Sequence, residues 1–459
     1  MVIAPPVGFL RENKWLLAFA LLIVGAVPSK EAAFALAVTW LAVLRPLSGA
    51  EVKGVLARLW PILVMLAIAL FMTMVDVSRE FDNRAVVRIL FYYVRIPVFL
   101  MLGFGARKYM RRHTTLLWFL LFLGMATASN TLRSYLTSSG LSGLDRTTLR
   151  QIIGGGDPLS VFVPIVARIL WSRGLPRWQI GVLLLAVALS LASIIVTDSR
   201  TGLLVVVLSF VLSLPHMRPL RWARWGVLAI LAGGIVVTTP MFQPILDALG
   251  IDPASLGGFN EVIARPRYDL GTINTEWRGH ETYMAFAAAQ ADGLWAFILG
   301  HGLSASANLG IFIELAPGQF FSSVDIFHNG YSFIVLHSGL LGIALYVMQM
   351  WVLARPRAAL VNDDVRRDPR ARGSNDEDLL YVLVLLSLAA STAVIAGMFN
   401  ASTFAPLHLF LIGCFYPLRR AVPGVPRARP NDAFPPPRTP VRPFRRRTAR
   451  TARAAQQGN

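Results

Sequence analysis

Residues 180–196 read IGVLLLAVALSLASIIV, residues 197–202 read TDSRTG, and residues 203–214 read LLVVVLSFVLSL. Two almost purely apolar runs are separated by six residues that carry one acid, Asp198, and one base, Arg200. A helix needs roughly 20 apolar residues to cross a bilayer. This stretch therefore reads as one span leaving the membrane, a tight connection, and a second span entering it.

The same reading extends over the chain. Hydrophobic residues make up 55% of the 459 and charged residues 15%, a balance that excludes an ordinary soluble domain. About twelve segments meet the spanning criterion. They lie at 15–28, 31–45, 59–75, 88–105, 114–129, 158–172, 179–197, 202–214, 225–240, 330–353, 379–398 and 403–418. The first two are short enough to form a re-entrant hairpin instead. No small-residue cleavage site follows the first run, so it reads as a span rather than a removed signal. The expected fold class is an all-α polytopic membrane protein with a large, partly helical outer loop. Residues 1–240 hold spans one to nine, 241–329 form the loop, 330–418 hold the last three spans, and 419–459 form a tail.

Lys and Arg collect on the cytoplasmic side of inner membranes. With the N-terminus inside, 31 of the 44 basic residues fall on that side, from Arg11 and Lys14 to the arginines of the tail. An even number of spans puts both termini there. The tail holds eleven Arg, eight Pro and one Asp, a composition that favours disorder. Its placement beside a last span points to anionic lipid headgroups rather than nucleic acid. Cys414, the one cysteine, lies inside a span and has no partner for an intramolecular disulfide.

Topology then sorts the polar residues. Two outer segments, about 129–157 and 241–329, are too long to be turns. The second contains TEWRGHETYMAFAAAQADGLWAFILGHGLSA, residues 275–305. Trp277, Met284, Ala288, Ala291, Trp295 and Ile298 recur at helical spacing, which predicts an amphipathic helix along the outer membrane surface, ended by Gly300 and Gly302. Arg278 sits in its first turn. FHNGYSFIVLHSGLLG follows at 327–342, with His328 just ahead of a span. Arg95, in FYYVRIPV, is a charge within a span: a functional candidate, or the partner of a neighbouring helix.

Taken together, SRTG at the outer start of a span, Arg278 with its helix and GHG, and HNGY…HSGLLG entering the next span resemble the O-antigen ligase and polymerase superfamily. The resemblance covers about residues 180–350. It implies transfer of a glycan from an undecaprenyl-diphosphate carrier to an acceptor at the periplasmic face of a bacterial inner membrane. It also implies that Arg200 and Arg278 hold the diphosphate and that His328 stands near the acceptor hydroxyl. The acceptor is another lipid-linked repeat or lipid A-core, and the motifs do not separate the two. The chain departs from the family pattern in lacking a proline ahead of GHG and in carrying an insert at 303–327.

The chemistry asks for such groups on its own account. A departing diphosphate develops charge that guanidinium groups can grip bidentately. A sugar hydroxyl is a weak nucleophile and gains from a base, and histidine suits that task near neutral pH. Asp198 is the expected orienting partner of Arg200; Arg265 and Arg267 are further candidate substrate contacts. The outer loops offer no paired aspartates, so transfer without a metal or other cofactor is expected. The bland readings are a snorkelling Asp198–Arg200 turn, an i,i+3 pair of Arg278 with Glu281, and a span-capping role for His328. His280, His301 and His337 lack the motif context. The competing function is a multi-span transporter or lipid-linked glycan flippase; a non-enzymatic envelope scaffold is a third.

Overall fold

A computed structural model describes residues 14–27, 29–75, 83–109, 113–138, 159–197, 200–212, 219–240, 243–248, 250, 263–264, 273–316, 319–355, 372–399 and 404–416. All of them belong to one unit, Met1–Pro417. The basic tail and most of the 355–378 connection lie outside the described residues.

The opening stretch becomes two helices. The helices ahead of them are α1 (Lys14–Gly25), α2 (Lys30–Leu44), α3 (Gly49–Leu56), α4 (Trp60–Val75), α5 (Asn83–Arg107), α6 (His113–Ser138) and, after a 3-10 turn at Ser160–Phe162, α7 (Val163–Trp171). Then come α8 (Arg177–Val196) and α9 (Arg200–Leu212). In α8 only the stripe Leu183, Ala186, Ser190, Ser193 and Ile194 is buried, while Leu184, Leu185 and Ile195 are more than half exposed. A helix that leaves large aliphatic side chains uncovered on its other faces is suited to lipid contact. Thr197 closes α8, its hydroxyl donating to the Ser193 and Ile194 carbonyls at 2.8 and 3.2 Å.

Beyond them lie α10 (Pro219–Thr238), α11 (Gln243–Ala248), α12 (Ile273–Ala291), α13 (Leu294–Leu299), strands β1 (Ala307–Ala316) and β2 (Gln319–Val324), α14 (Gly330–Ala354), α15 (Arg372–Ile395), a 3-10 turn at Gly397–Phe399, and α16 (Phe404–Phe415). Among the described residues the architecture is all-α apart from one antiparallel hairpin, and its long apolar helices are those of a membrane protein. Among the described residues, five helices are long and apolar enough to cross a membrane: α5, residues 114–137 of α6, α8, α14 and residues 378–395 of α15. If α3 and α4 form one span bent by 69°, they make a sixth. Shorter apolar helices at 15–25, 160–171, 222–238 and 405–415 fall where spans were also expected. At 12 and 15 residues, α1 and α2 are as short as the sequence suggests. By contrast α6 runs on to Ser138, past the expected end near 129, because neither Gly nor Pro interrupts the sequence there.

Without a hydrophobic drive between helices in lipid, close backbone packing has to hold the bundle. The crossing of α5 and α16 illustrates it. A Cβ on Gly103 would lie 2.0 Å from the Phe410 carbonyl oxygen, and one on Gly413 would lie 2.3 Å from that of Leu100. Cys414, fully buried beside them, points its thiol at the Gly103 carbonyl at 3.4 Å.

The segment expected to form the outer loop is built differently from the expected single surface helix. It breaks at Asp292 and Gly293, where Gly293 has φ 94°, into α12 and α13. Moreover, α12 packs against α14 and β1 through a stripe absent from the expected apolar face: His280, Glu281, Thr282, Ala285, Phe286 and Ala289 are all buried. Trp295, on the expected face, is 73% exposed. The insert at 303–327 contains the β1–β2 hairpin, with Ala307 opposite Val324 and irregular register beyond Asn308.

The loop locks into a break in α14. Gly339 leaves helical geometry there, with φ 65° and ψ −167°. The carbonyls of Leu336 and His337, ahead of the break, accept from the backbone N–H groups of His301 and Gly302 at 2.8 and 3.2 Å. This contact requires glycine: a Cβ on Gly339 would lie 2.2 Å from the Ile298 oxygen, and one on Gly300 would lie 2.4 Å from the Ser338 nitrogen. The next residue, Leu303, donates its N–H to the Thr73 hydroxyl on α4 at 2.6 Å.

Candidate functional site

The grip of the loop on α14 sets the N-terminus of that helix against α12. Asn329 is the N-cap, its side-chain oxygen accepting from Tyr331 N–H at 2.9 Å. Its amide donates to the Thr282 hydroxyl on α12 at 3.2 Å. That hydroxyl in turn donates to the Arg278 carbonyl at 2.8 Å, so one turn of α12 is stitched to the residue after His328.

His328 is thereby held beside two residues of that turn, Trp277 and Glu281. The Trp277 ring stands edge-on to the imidazole, with centroids 4.3 Å apart. The Arg278 guanidinium carbon lies 5.6 Å from the centre of the same indole. The Glu281 carboxylate accepts from His328 N–H at 3.3 Å and lies 3.5 Å from its Nδ1. The imidazole side chain is 45% exposed, whereas Glu281 is 3% exposed. Arg278 and His328, fifty positions apart in the sequence, thus share one aromatic neighbour. The i,i+3 pair expected of Arg278 is superseded on the acid's side: among the described residues, both polar contacts of the Glu281 carboxylate are with His328.

Not every expected site residue can be placed. Arg200 opens α9, at the start of a helix as the sequence reading requires. Its side chain, together with Asp198, Arg265 and Arg267, lies outside the described residues. The three histidines without the motif context each lie against a backbone carbonyl. His280 Nε2 is 2.8 Å from the Leu309 carbonyl. His301 Nε2 is 3.1 Å from that of Ala288. His337, fully buried, sets Nδ1 at 2.8 Å from the Gly302 oxygen and Nε2 at 3.0 Å from the Asp325 oxygen.

Sequence reasoning missed Glu281, Trp277 and a second polar group nearby. Arg88 on α5 forms an ion pair with Asp325, three residues before His328. Close to it, Tyr92 carries Arg95 at 4.5 Å and Lys30 at 5.9 Å from its ring centre. Arg95 is fully buried and donates to the Met398 carbonyl at 3.3 Å, in the 3-10 turn between α15 and α16. That contact is with a turn rather than with the neighbouring helix expected as the alternative. Only the intramembrane charge itself signalled it in the sequence.

The arrangement offers a guanidinium for an anion, an accessible imidazole that can take a proton, and a buried carboxylate behind it. Among the described residues, no three His, Cys, Asp or Glu side chains are grouped as a metal ligand set. No protein-family model matches the chain, and neither does any curated protein or any solved structure, so the chemistry of the site rests on its own residues.

Proposed function

We propose that the chain is a membrane glycosyltransferase of the kind its motifs resemble. It moves a glycan from an undecaprenyl-diphosphate carrier to an acceptor hydroxyl, as an O-antigen ligase or as an O-antigen or exopolysaccharide polymerase. In this reading it crosses a bacterial inner membrane about twelve times, keeps both termini in the cytoplasm, and works at the periplasmic face without a metal. Arg278 and Arg200 bind the diphosphate, with Arg265 and Arg267 as further substrate contacts and Asp198 orienting Arg200. His328 takes the proton of the acceptor hydroxyl as its oxygen bonds to the sugar carbon. The bond from that carbon to the diphosphate oxygen breaks, and the arginines stabilise the charge that the leaving diphosphate gathers.

The observation that carries the reading is that Arg278 and His328 share the neighbour Trp277, at the start of α14. Both residues were singled out by the motifs, and a purely topological role for either gives no reason for them to share it. A chromosomal deletion, complemented with variants and examined for surface glycan, tests it. Loss of transfer with Arg278→Ala and with His328→Ala, at unchanged protein level in the membrane, supports the proposal; full activity in either refutes the site. In the deletion strain, accumulated long lipid-linked chains identify a ligase, and single repeats on the acceptor identify a polymerase.

The second reading, a transporter or lipid-linked glycan flippase, draws on Arg95, a buried charge within a span. It requires lipid-linked glycan to stay on the cytoplasmic face in the deletion strain, which protease-free labelling of intact spheroplasts would detect.

A further inference from the structure

We infer that Glu281 is the positioning residue for His328, holding the imidazole as the tautomer that carries its proton on Nδ1 and leaves Nε2 free to act. This rests on the reading of His328 as the base of the transfer.

A carboxylate that is 3% exposed is costly to bury unless its oxygens are engaged. One oxygen of Glu281, Oε2, is engaged by a single residue in two ways: the backbone N–H of His328 at 3.3 Å, and its ring Nδ1 at 3.5 Å. The first fixes where the residue sits, and the second fixes which ring edge faces inward. Trp277, edge-on at 4.3 Å, restricts the ring further. With Nδ1 turned to the acid, Nε2 occupies the opposite edge of a side chain that is 45% exposed. A carboxylate accepts and does not donate, so the neutral ring places its single proton on Nδ1. The lone pair is then on Nε2, where a hydroxyl can reach it. When the ring takes the hydroxyl proton, the carboxylate stabilises the imidazolium without itself being protonated. This is the division of labour seen wherever a buried acid orients a catalytic histidine. The 3.5 Å separation suits a resting site, since such contacts tighten once substrate is bound.

The competing role for Glu281 is a purely structural one, anchoring the loop through the backbone N–H. Glu281→Gln separates the two. The amide keeps a carbonyl for that N–H but offers Nδ1 a donor as readily as an acceptor. The full-length protein, labelled with ¹⁵N-histidine and reconstituted in phosphatidylethanolamine–phosphatidylglycerol vesicles, would be observed by solid-state NMR at alkaline pH. The seven histidines permit assignment of His328 by the signal lost in His328→Ala. The expected result is a dominant Nδ1–H form in the wild type and in Glu281→Asp, and a dominant Nε2–H form in Glu281→Gln. Surface glycan in the complemented deletion strain should fall at least tenfold with Glu281→Gln and stay within about threefold of wild type with Glu281→Asp. A Nδ1–H form that persists in Glu281→Gln overturns the inference, as does a tautomer change with unaltered glycan. Should His328→Ala retain transfer, the functional reading fails by itself, and the tautomer spectra still decide whether Glu281 orients the ring.

Discussion

Arg88 and Asp325, 237 positions apart, form an ion pair that ties the N-terminal part of α5 to the segment carrying His328. The same Asp325 accepts from His337 through its backbone carbonyl, so it is held from two helices at once. The Arg88 side chain is half exposed, and an exposed pair contributes only about 0–1 kcal/mol to stability. Arg88→Ala should therefore leave the melting temperature in detergent nearly unchanged. Transfer should nonetheless fall several-fold, because small misplacements of catalytic groups are costly. The charge swap Arg88→Asp with Asp325→Arg should recover most of it. Equal loss in the single and swapped variants would show that the pair positions nothing.

If Arg278 grips a diphosphate, replacement by lysine is not conservative. The ammonium is a point charge without the planar fork. Arg278→Lys should retain under about a tenth of wild-type surface glycan, and Arg278→Ala under about a hundredth, each with normal membrane levels. Arg200→Ala combined with Arg278→Ala should cost less than the two losses multiplied, since both act on one group.

His328 and His337 should fail in different ways. His328→Ala removes a half-exposed ring and should abolish transfer at unchanged thermal stability. His337→Ala withdraws a buried ring from between two backbone carbonyls and should cost about 2–5 kcal/mol. Thermal unfolding of the purified variants reads the difference. A stable, inactive His337→Ala would reverse the assignment.

Gly339→Ala meets two penalties together, a φ of 65° and a Cβ placed 2.2 Å from the Ile298 oxygen. It should destabilise by about 2–4 kcal/mol and expose the α13 segment to protease added from outside. Gly233→Ala, where an added Cβ meets nothing within 4 Å, is the matched control and should be neutral or slightly stabilising.

Much of this was legible in the sequence, for local reasons. The apolar runs around residues 197–202 gave α8 and α9, because hydrophobic length and a charged interruption are enough to mark helix ends in a membrane. The position of His328 ahead of a span was legible in HNGY, but the capping role weighed for His328 belongs to Asn329. The function of Glu281 was not legible. At i+3 from Arg278 it reads as half of a surface pair, and only the tertiary fold turns it toward a residue 47 positions later. The face of α12 was misjudged for the same reason. The pattern assumed lipid as the apolar partner, whereas α14 and the hairpin bury a second stripe that includes three polar residues. Arg88, Asp325 and the partner of Arg95 depend on contacts across more than 200 residues, to which periodicity is blind.

The break in α14 has a bearing on how the protein is made. In hydrocarbon each backbone group without a hydrogen bond costs several kcal/mol, and α14 borrows two of its bonds from His301 and Gly302. Those donors precede α14 in the sequence, so they are synthesised before the helix is. The segment ahead of α14 thus supplies the partners its broken turn needs, and a chain in which that segment is misfolded leaves the Leu336 and His337 carbonyls without them.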